Sequence, residues 1–241
     1  MQLKAVLFDM FDTIALIRQN HDFSGPSLMR MYKFLYKNGI NVSFETFQKA
    51  YNKARDELYA KADANLEEPH FNVRVAETLK SLSYDYNVSS PLVSAATAEF
   101  CDEFMKFVYL DRNAKDVLNR LHGNYKLGIV SNFAIPECVE ELLRVHALDK
   151  LFNVVVVSAA VNKRKPSPEI FISTLKMLGV SASETVFVGD TIDADVEGAK
   201  AVGMKAVYIE RRAEKIEHAC PDMTIKSLSE LPTALERLQL F

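Results

Sequence analysis

Residues 3–14 decide how this chain can fold, and they read LKAVLFDMFDTI. Mostly apolar residues run directly into the carboxylate of Asp9, as in a buried parallel strand that presents a side chain at its carboxyl end. Three later strand-like runs end on Ser131, near Lys165 and on Asp190. Ligands bind at the carboxyl edge of open α/β sheets, so the sequence predicts one site formed where four strands end.

The composition is that of a globular protein with room for one α/β core and a second, smaller unit. The chain has 241 residues, of which 49% are hydrophobic and 25% charged. Its net charge of -3 gives no basic surface for nucleic acid or anionic membranes, so neither is expected as a partner. The apolar run around Val154–Val157 is far too short to span a bilayer.

The cysteines predict a reducing compartment. Cys101, Cys138 and Cys220 are widely separated and include no Cys-x-x-Cys pair. An odd, unpatterned set is typical of reduced thiols. The amino terminus enters a strand without a basic start and a cleavable apolar segment, so we expect no signal peptide and a cytoplasmic location.

Two parts of the chain have different periodicities. From Ser24 to about residue 110 the chain carries four amphipathic helical patterns and no convincing strand, which predicts a small helical bundle. From residue 112 onward, strands alternate with helices, which predicts βαβ units. The predicted elements are a helix to about His122, strand Lys126–Val130, helix Pro136–Leu148, strand Asn153–Ser158, helix Pro168–Leu178, strand Thr185–Val188, helix Ala194–Val202, strand Lys205–Ile209, strand Met223–Ile225 and helix Glu230–Leu238.

These patterns predict an α/β fold, a doubly wound, Rossmann-like parallel sheet with an inserted all-helical cap. The first strand is too apolar to stand alone and must belong to the later sheet. The core is therefore discontinuous, with residues 1–15 and 112–241 in the α/β part and residues 16–111 in the cap. We expect the cap to act as a mobile lid over Asp9, with hinges near Ile17–Asp22 and Leu110–Asn113.

Four motifs, each beside a predicted strand end, carry a resemblance to a known family. They read DMFDT at 9–13, SN at 131–132, KP at 165–166 and GDTIDAD at 189–195. In this order the motifs resemble the haloacid dehalogenase superfamily, whose members are mostly phosphatases. The resemblance covers nearly the whole core and includes residues 164–171 and 195–204.

Phosphoryl transfer gives these residues a physical role. A carboxylate such as Asp9 that attacks a phosphate ester needs positive charge nearby, because both reactants are anions. Asp9, Asp190 and Asp195 offer the hard oxygen ligands that suit Mg²⁺, and Lys165 would offset the clustered charge. The Ser131 hydroxyl would take a phosphate oxygen. The resemblance further implies that the Phe11 backbone carbonyl is a metal ligand, and we assign Thr13 and Asn132 as substrate-binding residues.

One position departs from the family pattern. Family phosphatases usually have a second Asp two residues after the nucleophile, where it protonates the leaving group, but here this residue is Phe11. Losing a general acid typically slows a reaction about 10²–10⁴-fold. Asp12 follows, and in a tight turn its side chain should point elsewhere.

The departure leaves three functions open. We expect first a Mg²⁺-dependent phosphatase that forms a phosphoaspartate on Asp9 and acts on a small molecule as a monomer or homodimer. The alternative is a metal-independent L-2-haloacid dehalogenase, a branch in which this position is not acidic and in which an Arg near the cap binds substrate. Arg18 and Arg30 are the candidates for that Arg. The third is a weakly active or non-catalytic member of the superfamily.

Overall fold

The strands follow the predicted order along the chain. The computed structural model describes residues 2–18, 22–211 and 220–240. Its strands are β1 (Ala5–Phe8), β2 (Ala15–Ile17), β3 (Val108–Leu110), β4 (Lys126–Ser131), β5 (Val154–Val157), β6 (Thr185–Gly189), β7 (Lys205–Ile209) and β8 (Met223–Ile225).

The helices fall between these strands. The described α-helices are α1 (Ser24–Lys37), α2 (Phe44–Ala62), α3 (Phe71–Ser81), α4 (Pro91–Phe104), α5 (Ala114–Leu121), α6 (Pro136–Val145), α7 (Ser158–Val161), α8 (Pro168–Leu178), α9 (Gly198–Ala201) and α10 (Leu231–Gln239). Short 3₁₀ turns lie at Asp63–Asn65, Met105–Phe107, Asp149–Leu151, Ala182–Glu184 and Leu228–Glu230. None of the helices in the described ranges is both long and apolar enough to cross a bilayer.

A parallel sheet with β1 near its centre organises the core. The described strands form it in the order β5-β4-β1-β6-β7-β8, and every neighbouring pair is parallel. Ala5 in β1 lies opposite Lys126 in β4 and Thr185 in β6, so the carboxyl ends of these strands meet at one edge. All four β1 residues are buried because both faces of the sheet are covered, which explains its unbroken apolar run. The predicted doubly wound α/β fold is confirmed.

The helices α1 to α4 surround a hydrophobic cluster of their own. Their buried residues include Met31, Phe47 and Phe104, which pack together beside Ile135 and Cys138. Since the last two residues lie at the start of α6 and within it, the helical region rests directly on the core.

A two-stranded antiparallel ribbon joins the helical region to the core. The prediction of no strand between Ser24 and about residue 110 was wrong, because β3 lies at Val108–Leu110. Ala15 in β2 pairs with Leu110 in β3, and Ile17 pairs with Val108. Each strand has three residues, which is too short to produce a visible alternation of apolar and polar side chains. Ile17 and Leu110, which belong to the two expected hinge segments, are therefore part of a hydrogen-bonded ribbon, and residues 19–21 of the first segment lie outside the described residues.

The prediction of reduced cysteines was also wrong for two of the three. Cys101 in α4 and Cys138 in α6 form a disulfide, with their Cα atoms 5.9 Å apart. The two residues are 37 positions apart in sequence, and only the packing of α4 against α6 brings them together. Cys220 is free and exposed.

The predicted helix Ala194–Val202 is two segments. A π-helix spans Ile192–Glu197 and α9 continues from Gly198. A Cβ atom on Gly198 would lie 2.8 Å from the Phe171 ring, so close packing on α8 requires glycine there. The ends of two predicted elements also differ. The helix predicted over Pro136–Leu148 ends at Val145, and Ser158, predicted as the last residue of a strand, begins α7.

Candidate active site

Lys165 joins two carboxylates at the carboxyl edge of the sheet. Its Nζ donates to Asp9 Oδ1 at 2.5 Å and lies 2.7 Å from Asp195 Oδ1. Asp9 directly follows β1, and its amide donates to the Val188 carbonyl of β6, which fixes the backbone at Asp9. All three charged side chains are buried. Asp9, Lys165 and Asp195, which were predicted from three different motifs, therefore lie in contact.

Burial and charge shift the pKa values of this cluster. The pKa of Asp9 is raised from 3.8 to about 7. Burial is the largest cause, and together with the negative charge of Asp195 it outweighs the attraction of Lys165. Burial works to lower the pKa of Lys165, but the attraction of Asp195 and Asp9 outweighs it and raises this pKa. Lys165 therefore remains a cation, while the cluster is short of positive charge for a fully ionised Asp9.

The acidic residues fit a divalent metal ion. Asp9, Asp190 and Asp195 each offer one carboxylate oxygen, and these oxygens lie within 4.8 Å of one another. Three carboxylates and one lysine leave a net negative charge that a hard divalent cation would offset. Gly189 makes the arrangement possible, because a Cβ at that position would overlap the Asp195 carboxylate. The donor set therefore suits Mg²⁺.

A cavity of about 240 Å³ opens over this cluster, and we call it the carboxylate cavity. Its lining residues are Asp9, Phe11, Asp12, Asn132, Lys165, Asp190, Thr191, Ala194 and Asp195. Asp193, the remaining acid of the fourth motif, is exposed and accepts a hydrogen bond from the Ala194 amide.

The end of β4 reaches the site through Asn132. Its Nδ2 donates to the Lys165 carbonyl at 2.9 Å, and its Oδ1 accepts from the Lys165 amide at 2.8 Å. The Asn132 side chain therefore fixes the lysine loop, in addition to lining the cavity. Ser131 is buried, and its Oγ has no hydrogen-bond partner within the described residues.

Thr13 lies apart from the cavity lining. The side chain is fully buried, and its Oγ1 lacks a partner in the described part of the chain. Its carbonyl accepts a hydrogen bond from Arg211 Nη2 at 3.1 Å. The structure therefore places Thr13 behind the motif turn, and it does not bring the side chain to the lining with Asn132.

Phe11 faces both the carboxylate cavity and an aromatic cluster. Its ring centroid lies 4.7 Å from that of Phe133 and 5.6 Å from that of Phe104 in α4. These contacts tie the turn after Asp9 to the helical region. An aromatic side chain at this position thus has a packing role that an aspartate could not fill.

The tight turn places Asp12 in a left-handed conformation, with φ at 55°. Its Oδ1 accepts a hydrogen bond from the Ile17 amide at 3.2 Å, as expected for a side chain that caps the turn. The residue also lines the carboxylate cavity, which was not expected from the turn alone.

Arg211 is a site residue that sequence reasoning missed. Its guanidinium donates to the carbonyls of Asp12 and Thr13 and pairs with the Asp111 carboxylate at 2.7 Å. It thereby fixes the turn after Asp9 to the residue that follows β3. No motif pointed to it, because an Arg that follows a strand has no distinctive spacing.

A second cavity of about 220 Å³ lies between the helical region and the end of β4, and we call it the aromatic cavity. Its lining residues are Phe23, Tyr59, Glu68, Phe71, Arg74, Phe100, Asn132, Phe133, Ala134 and Ile135. Asn132 lines both cavities, so they are neighbours. No sequence pattern pointed to Glu68, which lies in a loop, or to Arg74 in α3, because charged side chains are usually solvated.

A family model described as haloacid dehalogenase-like hydrolase matches residues 40–209. The chain belongs to this family. The resemblance seen in the motifs is thus confirmed, as is the prediction that the chain is a hydrolase.

Relatives of this hydrolase family include archaeal phosphatases. The glyceraldehyde 3-phosphate phosphatase of Pyrococcus abyssi is 32% identical over 209 residues, which cover 86% of this chain and 81% of the relative. The protein of the same name from Pyrococcus furiosus is 31% identical and covers 98% and 94%.

Solved structures share the fold. A phosphatase of this superfamily from Thermococcus onnurineus is 28% identical, with a TM-score of 0.65 and coverage of 97% of this chain and 98% of its own. A 2-haloacid dehalogenase from Pseudomonas syringae has a TM-score of 0.76 at 22% identity, covering 98% and 100%. This second similarity speaks for the fold alone.

Proposed function

We propose that this hydrolase is a Mg²⁺-dependent phosphatase of small phosphate monoesters and that Asp9 is its nucleophile. The observation that carries the proposal is the contact of Lys165 with both Asp9 and Asp195, with Asp190 close enough to complete a metal site. Such a site offsets the charge of two anionic reactants, which a displacement at phosphorus requires. The phosphatase names of the relatives support the same chemistry.

Asp9 would act in two steps. A carboxylate oxygen of Asp9 forms a bond to phosphorus while the ester P–O bond breaks, and the leaving oxygen takes up a proton. Water then attacks phosphorus, the bond to Asp9 breaks, and phosphate and the Asp9 carboxylate are released. Lys165 offsets the negative charge throughout. Ser131 is not among the residues that line the carboxylate cavity, but it directly precedes Asn132, which does, and we propose that its unpartnered hydroxyl donates to a phosphoryl oxygen.

The metal would be held by Asp9, Asp190 and Asp195, together with the Phe11 carbonyl as the family resemblance implies. When bound, Mg²⁺ supplies positive charge that stabilises the transferring phosphoryl group. The buried lysine alone leaves the three carboxylates with excess negative charge, which supports a requirement for the cation.

The leaving-group proton has no donor at the position of Phe11. Asp12, the next residue in the chain, also lines the carboxylate cavity. We propose that the proton comes from Asp12 or from water, and that this makes alkyl phosphates slow substrates relative to aryl phosphates.

The helical region would be the cap. We propose that residues 16–111 cover Asp9 as a lid during the phosphoaspartate stage. In support, the Phe71 amide donates to the Ala134 carbonyl, and Lys163 Nζ donates to the Asn65 carbonyl, so the region contacts loops on both sides of the carboxylate cavity. The disulfide between Cys101 and Cys138 limits how far this lid can open.

The dehalogenase alternative is less well supported. Arg18 is exposed, and Arg30 pairs with Glu99, Asp102 and Glu103 of α4. Neither lines one of the two cavities. The three carboxylates would moreover repel a carboxylate substrate. Phe11, the residue that favours this branch, is explained by its packing on Phe104 and Phe133.

The predicted cytoplasmic location and the predicted monomer or homodimer remain predictions. Disulfides are more common in oxidising compartments and in hyperthermophiles, so the Cys101–Cys138 pair does not favour a reducing one.

A direct assay tests the proposed function. Phosphate release from phosphate monoesters is measured with Mg²⁺, and chloride release from 2-chloropropionate is measured without metal. We expect phosphate and no chloride. Chloride without phosphate would establish the dehalogenase, and neither product would favour a non-catalytic member of the family.

A further inference from the structure

We propose that the aromatic cavity binds the organic part of the phosphate ester, and that Glu68 and Arg74 select an uncharged, hydroxylated group. This inference rests on the proposed phosphatase function, because it assigns the part of the substrate that lies beyond the phosphoryl group. It names a substrate class that the family membership does not give.

The aromatic cavity lies beside the carboxylate cavity. Asn132 lines both cavities, and its side chain is hydrogen-bonded to the backbone of Lys165, which contacts Asp9. A phosphate ester with its phosphorus at Asp9 therefore has the aromatic cavity next to it. The volume of about 220 Å³ lies below the range of drug-sized sites, which suits a small leaving group.

Arg74 is held in place by aromatic side chains, and its Nε–H can still donate a hydrogen bond. Its guanidinium carbon lies 5.0 Å from the ring centroid of Phe71 and 5.1 Å from that of Tyr59, and Nη1 donates to the Tyr51 hydroxyl at 3.1 Å. Its Nε is buried and has no hydrogen-bond partner among the described residues. A buried donor without a partner is costly, so a ligand oxygen that accepts from Nε would stabilise the site.

Glu68 supplies the matching acceptor. The residue is 5% exposed and lines the aromatic cavity together with Arg74. Burial raises the pKa of Glu68, and the opposing attraction comes from Arg164 and Arg74. A carboxyl group is seldom buried to this extent in a folded protein, and a ligand hydroxyl in the cavity could donate a hydrogen bond to it.

The balance of charge defines the ligand class. Glu68 and Arg74 give the lining one negative and one positive charge, while most of the remaining lining is aromatic or apolar. A carboxylate on the ligand would leave an excess charge buried, which is costly. An amino acid would bring an ammonium with three donors and a carboxylate with about four acceptor sites, more than these two side chains can satisfy. Hydroxyl or carbonyl groups need one partner each and fit best.

Three substrates with a three-carbon chain separate these possibilities. Glycerol 3-phosphate carries hydroxyls, propyl phosphate lacks them, and 3-phosphoglycerate adds a carboxylate. With Mg²⁺, the wild type should hydrolyse glycerol 3-phosphate with a kcat/KM about tenfold or more above each of the others, since one hydrogen bond to a charged group contributes that much.

Two variants assign the preference. Arg74→Met should lower kcat/KM for glycerol 3-phosphate about tenfold and leave propyl phosphate within about threefold. Glu68→Gln removes the negative charge and should raise the relative rate on 3-phosphoglycerate. The matched controls Arg55→Met and Glu67→Gln, whose residues lie outside the cavity lining, should retain the wild-type preferences.

Binding provides a measurement without turnover. In an Asp9→Asn background with Mg²⁺, calorimetry should show tighter binding of glycerol 3-phosphate than of propyl phosphate, and Arg74→Met should remove the difference. Equal hydrolysis and binding of both esters by the wild type would overturn this inference while leaving the phosphatase intact. Absence of phosphate release from all three esters and from aryl phosphates would overturn the proposed function, and this inference with it.

Discussion

The carboxylate cavity and the aromatic cavity share Asn132 but differ in nearly every other respect. The first is lined by charged residues from the carboxyl ends of strands, with Asp9 and Asp195 in contact with one lysine. The second is lined mainly by rings from the helical region and carries a single acid and a single Arg. The difference supports the proposed division of roles, in which residues at the sheet edge would perform the chemistry and the helices would select the substrate.

The largest effect expected is the loss of all activity in Asp9→Asn. The amide is nearly isosteric but cannot attack phosphorus, so kcat should fall roughly 10³-fold or more for every substrate. Phosphate release from aryl and alkyl esters measures this. An equal loss of rate for every substrate would distinguish the carboxylate cavity from the aromatic cavity, where a substitution should slow some substrates and not others.

Asp193→Asn is the matched control, because Asp193 belongs to the same motif as Asp190 but is exposed. This variant should stay within about twofold of the wild type, as is usual for surface positions. A large loss in Asp193→Asn, or a mild one in Asp9→Asn, would mean that the chemistry is not centred on the buried cluster.

Metal removal should come next in size. Treatment with EDTA should reduce phosphate release about 100-fold or more, and added Mg²⁺ should restore it, because Lys165 alone cannot offset three carboxylates. Asp190→Asn should weaken the response to Mg²⁺, measured as the concentration that gives half-maximal rate. Full activity in the chelated protein would contradict the proposed metal site.

Phe11→Asp tests whether the missing acid in the carboxylate cavity limits the rate. The new carboxyl group should donate a proton to the leaving oxygen, so hydrolysis of alkyl phosphates should rise at least several-fold. Aryl phosphates, whose leaving groups depart without a proton, should gain less in the first step. Removing the ring also costs its contacts with Phe104 and Phe133, so thermal unfolding is measured alongside.

Phe11→Leu is the control for that loss of packing. It removes the ring without adding an acid, so it should reproduce the change in stability and leave the ratio of alkyl to aryl rates unchanged. An equal gain in both variants would show that the ring, rather than the missing acid, limits the rate.

Removing the disulfide should affect stability more than chemistry. Cys138→Ala deletes the covalent link between α4 and α6, which typically costs about 2–4 kcal/mol of unfolding free energy. The expected result is a lower Tm for Cys138→Ala and for the wild type in reductant, and an unchanged Tm for Cys220→Ala. If reductant leaves Tm unchanged, the two helices are held together by packing alone.

The smallest effect concerns the stability of the metal-free cluster. Because burial raises the pKa of Asp9 from 3.8 to about 7, the folded state holds a proton that the unfolded state has lost between these pH values, so the cost to the fold grows from about pH 4 and levels off above about pH 7. Asp9→Asn removes this cost, so in EDTA its Tm should exceed the wild-type value by about 2–4 °C at pH 8. The gain should shrink at pH 5, and an opposite trend would contradict the raised pKa.

Sequence reasoning reached the carboxylate cavity because its residues are tied to strand ends. Asp9, Ser131 and Asp190 follow β1, β4 and β6 or end them, so an apolar run followed by a polar residue was sufficient. Asp195 and Lys165 needed the order of the motifs, since each lies in a loop or an irregular helix.

The aromatic cavity could not be predicted in the same way. Glu68 and Arg74 come from a loop and from α3, and only the packing of the helical region against Phe133 and Ile135 turns them inward. The aromatic residues were expected as core, which they also are, since Phe71 and Phe100 are buried. The disulfide and the β2–β3 ribbon were missed for the same reason, because tertiary contacts rather than local periodicity create them.

The most direct test of the account is a crystal structure of the protein with Mg²⁺ and beryllofluoride, which mimics a phosphoryl group on a carboxylate. We expect the beryllium to be bonded to an Asp9 oxygen and the metal to be ligated by Asp9, Asp190 and Asp195, with Lys165 beside the fluorides. Beryllofluoride on another residue, or a cluster that binds neither ligand at saturating concentration, would contradict the assignment of Asp9 as the nucleophile of a Mg²⁺-dependent phosphatase.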